Sequence, residues 1–281
     1  MSSATTRTSA GARSLSRVSA HGTGPWRDLR LVGWQVYYEQ RGFWRNRRRA
    51  IASFAFPLMF LLIFGALQQG RHLTSSGHSV AYINFYVPGM IAYAVLVIGF
   101  SNTAMAIALL RAEGVLKRVR ATPMPWPLYL AGIVLSTMVT IAVACVLLLV
   151  VGAALYKAQI HSPAIPGLLV TVALATICFT SLGIAVSRLI QKPDSGMPVL
   201  MLVTLPLTFI SNVFFPLEGK GFVVQLGKLF PLRPLAEGIQ PAFTQAHGAG
   251  FSGHDLTTLA IWSAVGCWLM VRTMRKISAE E

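Results

Sequence analysis

Six apolar runs, each close to the length a helix needs to cross a bilayer, constrain this chain more than any other feature. They lie at about 51–67, 85–110, 128–156, 165–186, 197–215 and 256–271. At a rise of about 1.5 Å per residue, roughly 20 residues cross the hydrocarbon core. Inside that core each backbone polar group has to bond within its own segment, so such runs fold as helices. Composition agrees, with 54% hydrophobic and 12% charged residues and a mean hydropathy of +0.60, outside the range of a soluble globular domain. The expected fold is an all-α membrane protein of six transmembrane helices occupying 50–275. The last run is the shortest, and Arg272 has to snorkel if it is to span.

The formal net charge of +15 does not point to nucleic acid, because the basic residues flank apolar runs instead of forming a stripe across a soluble domain. They report topology. With both termini and alternate loops on the cytoplasmic side, 19 of the 24 Lys and Arg residues fall inside, leaving only Arg71, Lys157, Lys220, Lys228 and Arg233 outside. The positive-inside rule therefore places both termini in the cytoplasm. Cys145, Cys178 and Cys267 sit within apolar runs and lack paired spacing, which favours packing roles over a disulfide framework or a zinc site.

Residues 1–25 are rich in Ser, Thr, Ala, Gly and Arg and contain no apolar core. They are expected to form a disordered cytoplasmic tail, neither signal peptide nor anchor. Over 26–49 the pattern changes. Leu29, Val32 and Val36 make a stripe at helical spacing, ringed by Trp34, Tyr37 and Tyr38, and Arg45, Arg47, Arg48 and Arg49 abut the first run. This reads as an interfacial elbow helix along the inner leaflet, its arginines attracted to anionic headgroups. Residues 276–281 form a short cytoplasmic tail.

Between the second and third runs lies RAEGVLKRVRATPMPWP, from Arg111 to Pro127. As a helix it sets Val115, Leu116 and Val119 on one side and Lys117, Arg118 and Arg120 on the other. Pro123 ends it, and Pro125 and Pro127 hold off the next helix until Leu128. Two readings fit: a solvated topogenic loop, or a coupling helix whose apolar side enters a groove on a cytoplasmic partner.

No Asp, Glu, Lys, Arg or His falls inside the six runs, which argues against the mid-membrane relay of a proton-coupled carrier. The chain lacks a P-loop, since Gly219-Lys220 and Gly227-Lys228 are not followed by Ser or Thr. Neither H-E-x-x-H nor a complete nucleophile elbow occurs, so no catalytic, cofactor or metal residue is assigned. Polar positions suited to line a route are Ser101, Asn102 and Thr103 in the second run and Thr204, Thr208, Ser211 and Asn212 in the fifth. Asn102, Thr208 and Asn212 are the chosen candidates, although most such groups in spans bond only their own helix or a neighbour. Pro57, Pro198 and Pro206 offer kinks.

Residues 214–243 are too apolar for an exposed loop and too broken by Pro216, Pro231, Pro234 and Pro241 for one crossing. They are expected to form a re-entrant hairpin dipping in from outside, with Phe215, Pro216, Glu218, Pro231 and Glu237 as its marker residues. An amphipathic loop lying on the outer leaflet is the alternative.

From Trp26 to the C-terminus the sequence resembles the membrane subunits of ABC-2-type (type V) ATP-binding cassette exporters. The resemblance rests on the arginines and Pro57 before FLLIFG, on YVPGMIAY, on RAEGVLKRVRATPMPWPLYLAG, and on NVFFPLE with LFPLRPLAEGI. It implies a permease in a bacterial plasma membrane that pairs with a second permease, identical or paralogous, and with two nucleotide-binding subunits that carry ATP and Mg. It further implies efflux of a drug, antibiotic or lipid, with a polysaccharide or glycolipid exporter as the alternative and an ion-coupled secondary transporter as the rival from another class.

Overall fold

The computed structural model describes residues 25–280 apart from 69, 76–77, 121–124, 191–195, 215–220 and 245–249. The expected tail at 1–25 therefore lies almost wholly outside the described residues, as do Phe215, Pro216 and Glu218.

The helices follow in order: α1 (Pro25–Arg45), α2 (Arg47–Leu67), α3 (Tyr82–Val95), a π-helix (Leu96–Asn102), α4 (Thr103–Ala112), α5 (Val115–Arg120), α6 (Trp126–Tyr156), α7 (Ile165–Val186), α8 (Gly196–Ile210), α9 (Phe222–Leu229), α10 (Leu232–Ile239), α11 (Pro241–Thr244) and α12 (Gly253–Glu280). Among the described residues two strands pair, β1 (His72–Ser75) with β2 (His78–Ala81), antiparallel and registered His72 to Ala81. This hairpin joins α2 to α3 in a stretch where hydropathy gives no sign of strand.

Local chemistry sets the helix limits. Asp28 in the first turn and Arg45 in the last turn of α1 complement its dipole. Asn46 caps α2 by accepting from the Arg49 amide at 3.2 Å. Pro127 in the first turn of α6 costs no hydrogen bond there, and Lys157 closes that helix in the left-handed region at φ 55°.

Among the described residues five helical segments are long and apolar enough to cross a membrane: Arg47–Leu67, Tyr82–Ala112, Trp126–Tyr156, Ser162–Leu189 and Gly253–Lys276. This is a multi-pass helical membrane protein. The fifth run differs from expectation: α8 has 15 residues, about 22 Å of helix. It stops because the chain turns at Ser211–Phe214, where Asn212 adopts φ 61°. Of the six expected spans the short one among the described residues is thus α8 and not the last, which reaches Glu280 because its charged end stays helical.

The main core gathers α3, the π-helix, α6, α7, α10 and α11 around fully buried Tyr86, Phe179 and Phe243. A second cluster, of Ile107, Leu116, Tyr129, Leu130, Ile133, Ile184, Met270 and Met274, closes one end of the bundle. The α9–α10 pair closes the opposite end.

Candidate functional site

The α5 end is built from the turn after α4. Gly114 takes φ 68° there, a conformation glycine adopts without a Cβ penalty, and it reverses the chain into α5. Leu116 then becomes 1% exposed within the second cluster. The side chain expected in a partner's groove is therefore packed inside this chain, against Ile107 of α4, Tyr129, Leu130 and Ile133 of α6, Ile184 of α7, and Met270 and Met274 of α12. Amphipathy told that one face of the helix is buried, and the nearest apolar surface belongs to its own bundle. Val115 is half-buried and Arg118 is exposed. The side chains of Lys117, Val119 and Arg120 lie outside the described residues. Arg111 fixes the junction by donating from Nη2 to the Ile190 carbonyl.

Beside α5, a cavity of about 320 Å³ opens between α1, the start of α2, the π-helix, α4 and α6. Its polar frame is explicit. Gln40 Nε2 donates to the Ser136 carbonyl at 2.6 Å and to Ser136 Oγ and Thr140 Oγ1 at 3.0 Å each. These bonds fasten α1 onto α6, so the interfacial helix is docked to the bundle. Arg49 Nη2 donates to the Asn102 carbonyl at 2.9 Å. Asn102 Nδ2 donates to Ser53 Oγ at 2.7 Å, which in turn donates to the Arg49 carbonyl at 2.7 Å. The Arg49 guanidinium thus ties the start of α2 to the last residue of the π-helix.

Glu39 also lines this space. Burial pushes its carboxyl above the ordinary value of 4.5, with the Arg49 charge and the Gln35 amide pulling the other way. Gln35 Nε2 donates to Glu39 Oε1 at 3.0 Å.

The route candidates do not converge. Asn102 sits at the cavity, close to the end of α8 that meets Met105 through Gly196. Thr208 is buried and donates to the Thr204 carbonyl at 2.6 Å, a bond within its own helix. Asn212 occupies the turn beyond α8, whose neighbour Val213 meets Gly89 of α3. Some 13 residues of span two separate that point from Asn102, about 20 Å of helix.

At the opposite end, Pro231 precedes α10, whose Leu232, Leu235, Ala236 and Ile239 are buried. Arg233 Nε donates to Glu237 Oε1 at 2.6 Å, and Arg233 Nη1 donates to the Val224 carbonyl of α9 at 3.0 Å. Trp262 Nε1 reaches the Leu229 carbonyl at 2.8 Å, while its ring stacks near Phe230. Glu237 therefore orients Arg233, and Arg233 ties the two short helices together.

Comparison with known proteins agrees with this architecture. Residues 31–243 match the family model described as ABC-2 type transporter. The chain is also similar to a Cyanophora paradoxa protein whose name describes it as a transport permease, ycf38. The two are 25% identical over 214 residues, covering 74% of this chain and 71% of that one.

Proposed function

The chain belongs to the ABC-2 type transporter family, and from that premise we propose that it is the permease of an ATP-driven exporter in a bacterial plasma membrane. In this reading α8 and its turn supply a sixth crossing, both termini are cytoplasmic, and α9–α10 enters from outside as a re-entrant hairpin. The 19-to-5 distribution of Lys and Arg supports that orientation. ATP and Mg belong to separate nucleotide-binding subunits, and a second permease completes the pore. The cargo is hydrophobic or amphipathic, in the class of a drug, antibiotic or lipid.

The seat of Leu116 carries the proposal. Partner subunits that close on ATP press on α5, whose exposed Arg118 offers a charged contact. Because Leu116 lies among four spanning segments, the push moves α4, α6, α7 and α12 as one block. Segments outside that cluster, α2 and α8, can then be left behind, which opens a route between them and the block. Val115, Lys117, Val119 and Arg120 complete the proposed coupling surface. Asn102, Thr208 and Asn212 would meet the cargo in succession.

The test is co-purification of a nucleotide-binding subunit and ATP turnover, with membrane insertion verified. Reversing Lys117 and Arg118 to Glu is expected to weaken assembly most at low salt, since such charges set orientation and association rate. The isolated chain should hydrolyse no ATP. On a background lacking Cys145, Cys178 and Cys267, an external thiol reagent should reach a cysteine at Gly248 and not one at Lys117. Unaltered assembly in the double reversal, or external labelling at Lys117, overturns the reading.

A further inference from the structure

The cavity under α1 runs against the charge of the rest of the chain. The whole sequence has 24 Lys and Arg against 9 Asp and Glu, yet this space is lined by two carboxylates, Glu39 and Glu113, and one guanidinium, Arg49. That guanidinium is engaged by the Asn102 carbonyl. Glu39, half-buried, is bonded by one neutral donor, Gln35, and beyond that feels the charge of Arg49 alone, with Glu113 adding a second negative charge to the same space. Taking an ionised carboxylate partly out of water is unfavourable unless a charge or several donors compensate it. An anionic headgroup entering here would gain Arg49 and meet two like charges.

The walls narrow the choice further. Phe43, Ile98 and Ile133 give the cavity an apolar side. An aromatic face such as that of Phe43 also attracts a cation. At about 320 Å³ the space lies near the lower end of ligand pockets, which run from roughly 300 to 1,000 Å³. It suits a molecule of two or three rings. The rim includes Gly42 and Glu113, both exposed, so entry does not require the bundle to part.

We propose that this cavity is the loading site for a small amphipathic organic cation, with its charge against Glu39 and its apolar body along Phe43, Ile98 and Ile133. This names a cargo class for the export reading and rests on it. Glu113 at the rim attracts the cation toward the opening, and Arg49 holds the π-helix in place behind it.

The experiment uses the full chain in nanodiscs of zwitterionic lipid, titrated with the fluorescent styrylpyridinium cation ASP+ and with its unmethylated, neutral parent at mildly alkaline pH. Wild type should bind the cation at least about tenfold more tightly than the parent, the size of effect a single partly desolvated charge pair gives. Glu39→Gln should abolish that preference and leave the parent's affinity unchanged. Thr137→Phe, which fills the space from α6, should remove both ligands. Equal binding of the two ligands by wild type overturns the proposal, as does cation binding indifferent to both substitutions. Efflux of ASP+ by the assembled complex separates the two readings. Intact efflux in Glu39→Gln overturns the loading site and leaves export standing. Cation-selective, Glu39-dependent binding without efflux supports the site and counts against export.

Discussion

The two ends of the bundle are built on opposite principles. At the α10 end, backbone touches backbone: a Cβ on Gly89 would lie 2.3 Å from the Val213 carbonyl oxygen, and one on Gly227 would lie 2.2 Å from the Ile210 carbonyl oxygen. At the α5 end, side chains of α1 bond α6 while a cavity lies beside them against α4, and Gly42 at that cavity has nothing within 4 Å of where its Cβ would stand. Close backbone packing fixes the first end in one arrangement, because no side chain is there to swing aside. The second is held by polar bonds and one apolar plug, which can rearrange at low cost. The contrast suits a machine that receives a push at one end and pivots on the other.

The largest effect that can break this contrast is expected at Gly89. Gly89→Ala forces a methyl into a main-chain carbonyl and should destabilise by about 3 kcal/mol, the upper range for overpacking, whereas Gly42→Ala should change little. Thermal unfolding followed by fluorescence-detected size exclusion compares the pair, and equal tolerance would erase the distinction between the ends.

Next in size is Leu116→Ala. Removing a fully buried Leu side chain costs about 3 kcal/mol of local packing, and here it should loosen α5 while the rest of the bundle remains folded. Protease cleavage or hydrogen exchange confined to 111–125 would show that the plug alone seats the helix. Global unfolding would mean that the α5 end is as rigidly built as the other.

The smallest expected effect is at Glu39. Its folded-state value is raised above 4.5, so the folded protein binds the proton more tightly than the unfolded chain does. Stability from this group is present below 4.5 and is lost as pH rises through the raised value. Glu39→Gln should flatten that part of the pH profile and make the empty protein slightly more stable near neutrality. Melting curves across mildly acidic pH check the sign, and a steeper profile in the variant would contradict it.

Five spanning segments were legible in the sequence because apolar length in a bilayer leaves the backbone no other choice. The limits of two runs were not. Hydropathy continues through Ser211–Phe214, so the end of α8 is invisible to it. The signal was Asn212, a residue that tolerates the left-handed region. In α12 the opposite happened: charges at 272–276 suggested an end, although basic residues at a helix C-terminus favour the helix. The face of α5 was legible but not what covers it, since a groove in a partner and a groove in the same bundle ask for the same apolar stripe. The cavity was beyond reach, because Gln40 meets Ser136 and Thr140 about a hundred positions along the chain. No local pattern encodes such a meeting.

The π-helix at Leu96–Asn102 has a consequence of phase. A π-turn holds one residue more than an α-turn, so the faces of span two before and after it are offset by roughly 100° relative to an unbroken helix. Tyr86 and Met90 point into the packed core, while Asn102 and Ala106 look onto the cavity. In an unbroken α-helix Asn102 would stand about 120° around the axis from Met90; with the extra residue the two are about 20° apart. The extra residue therefore keeps the core-facing and the cavity-facing ends of this one rod nearly in line. The bond from Arg49 to Asn102 sits where that offset is set.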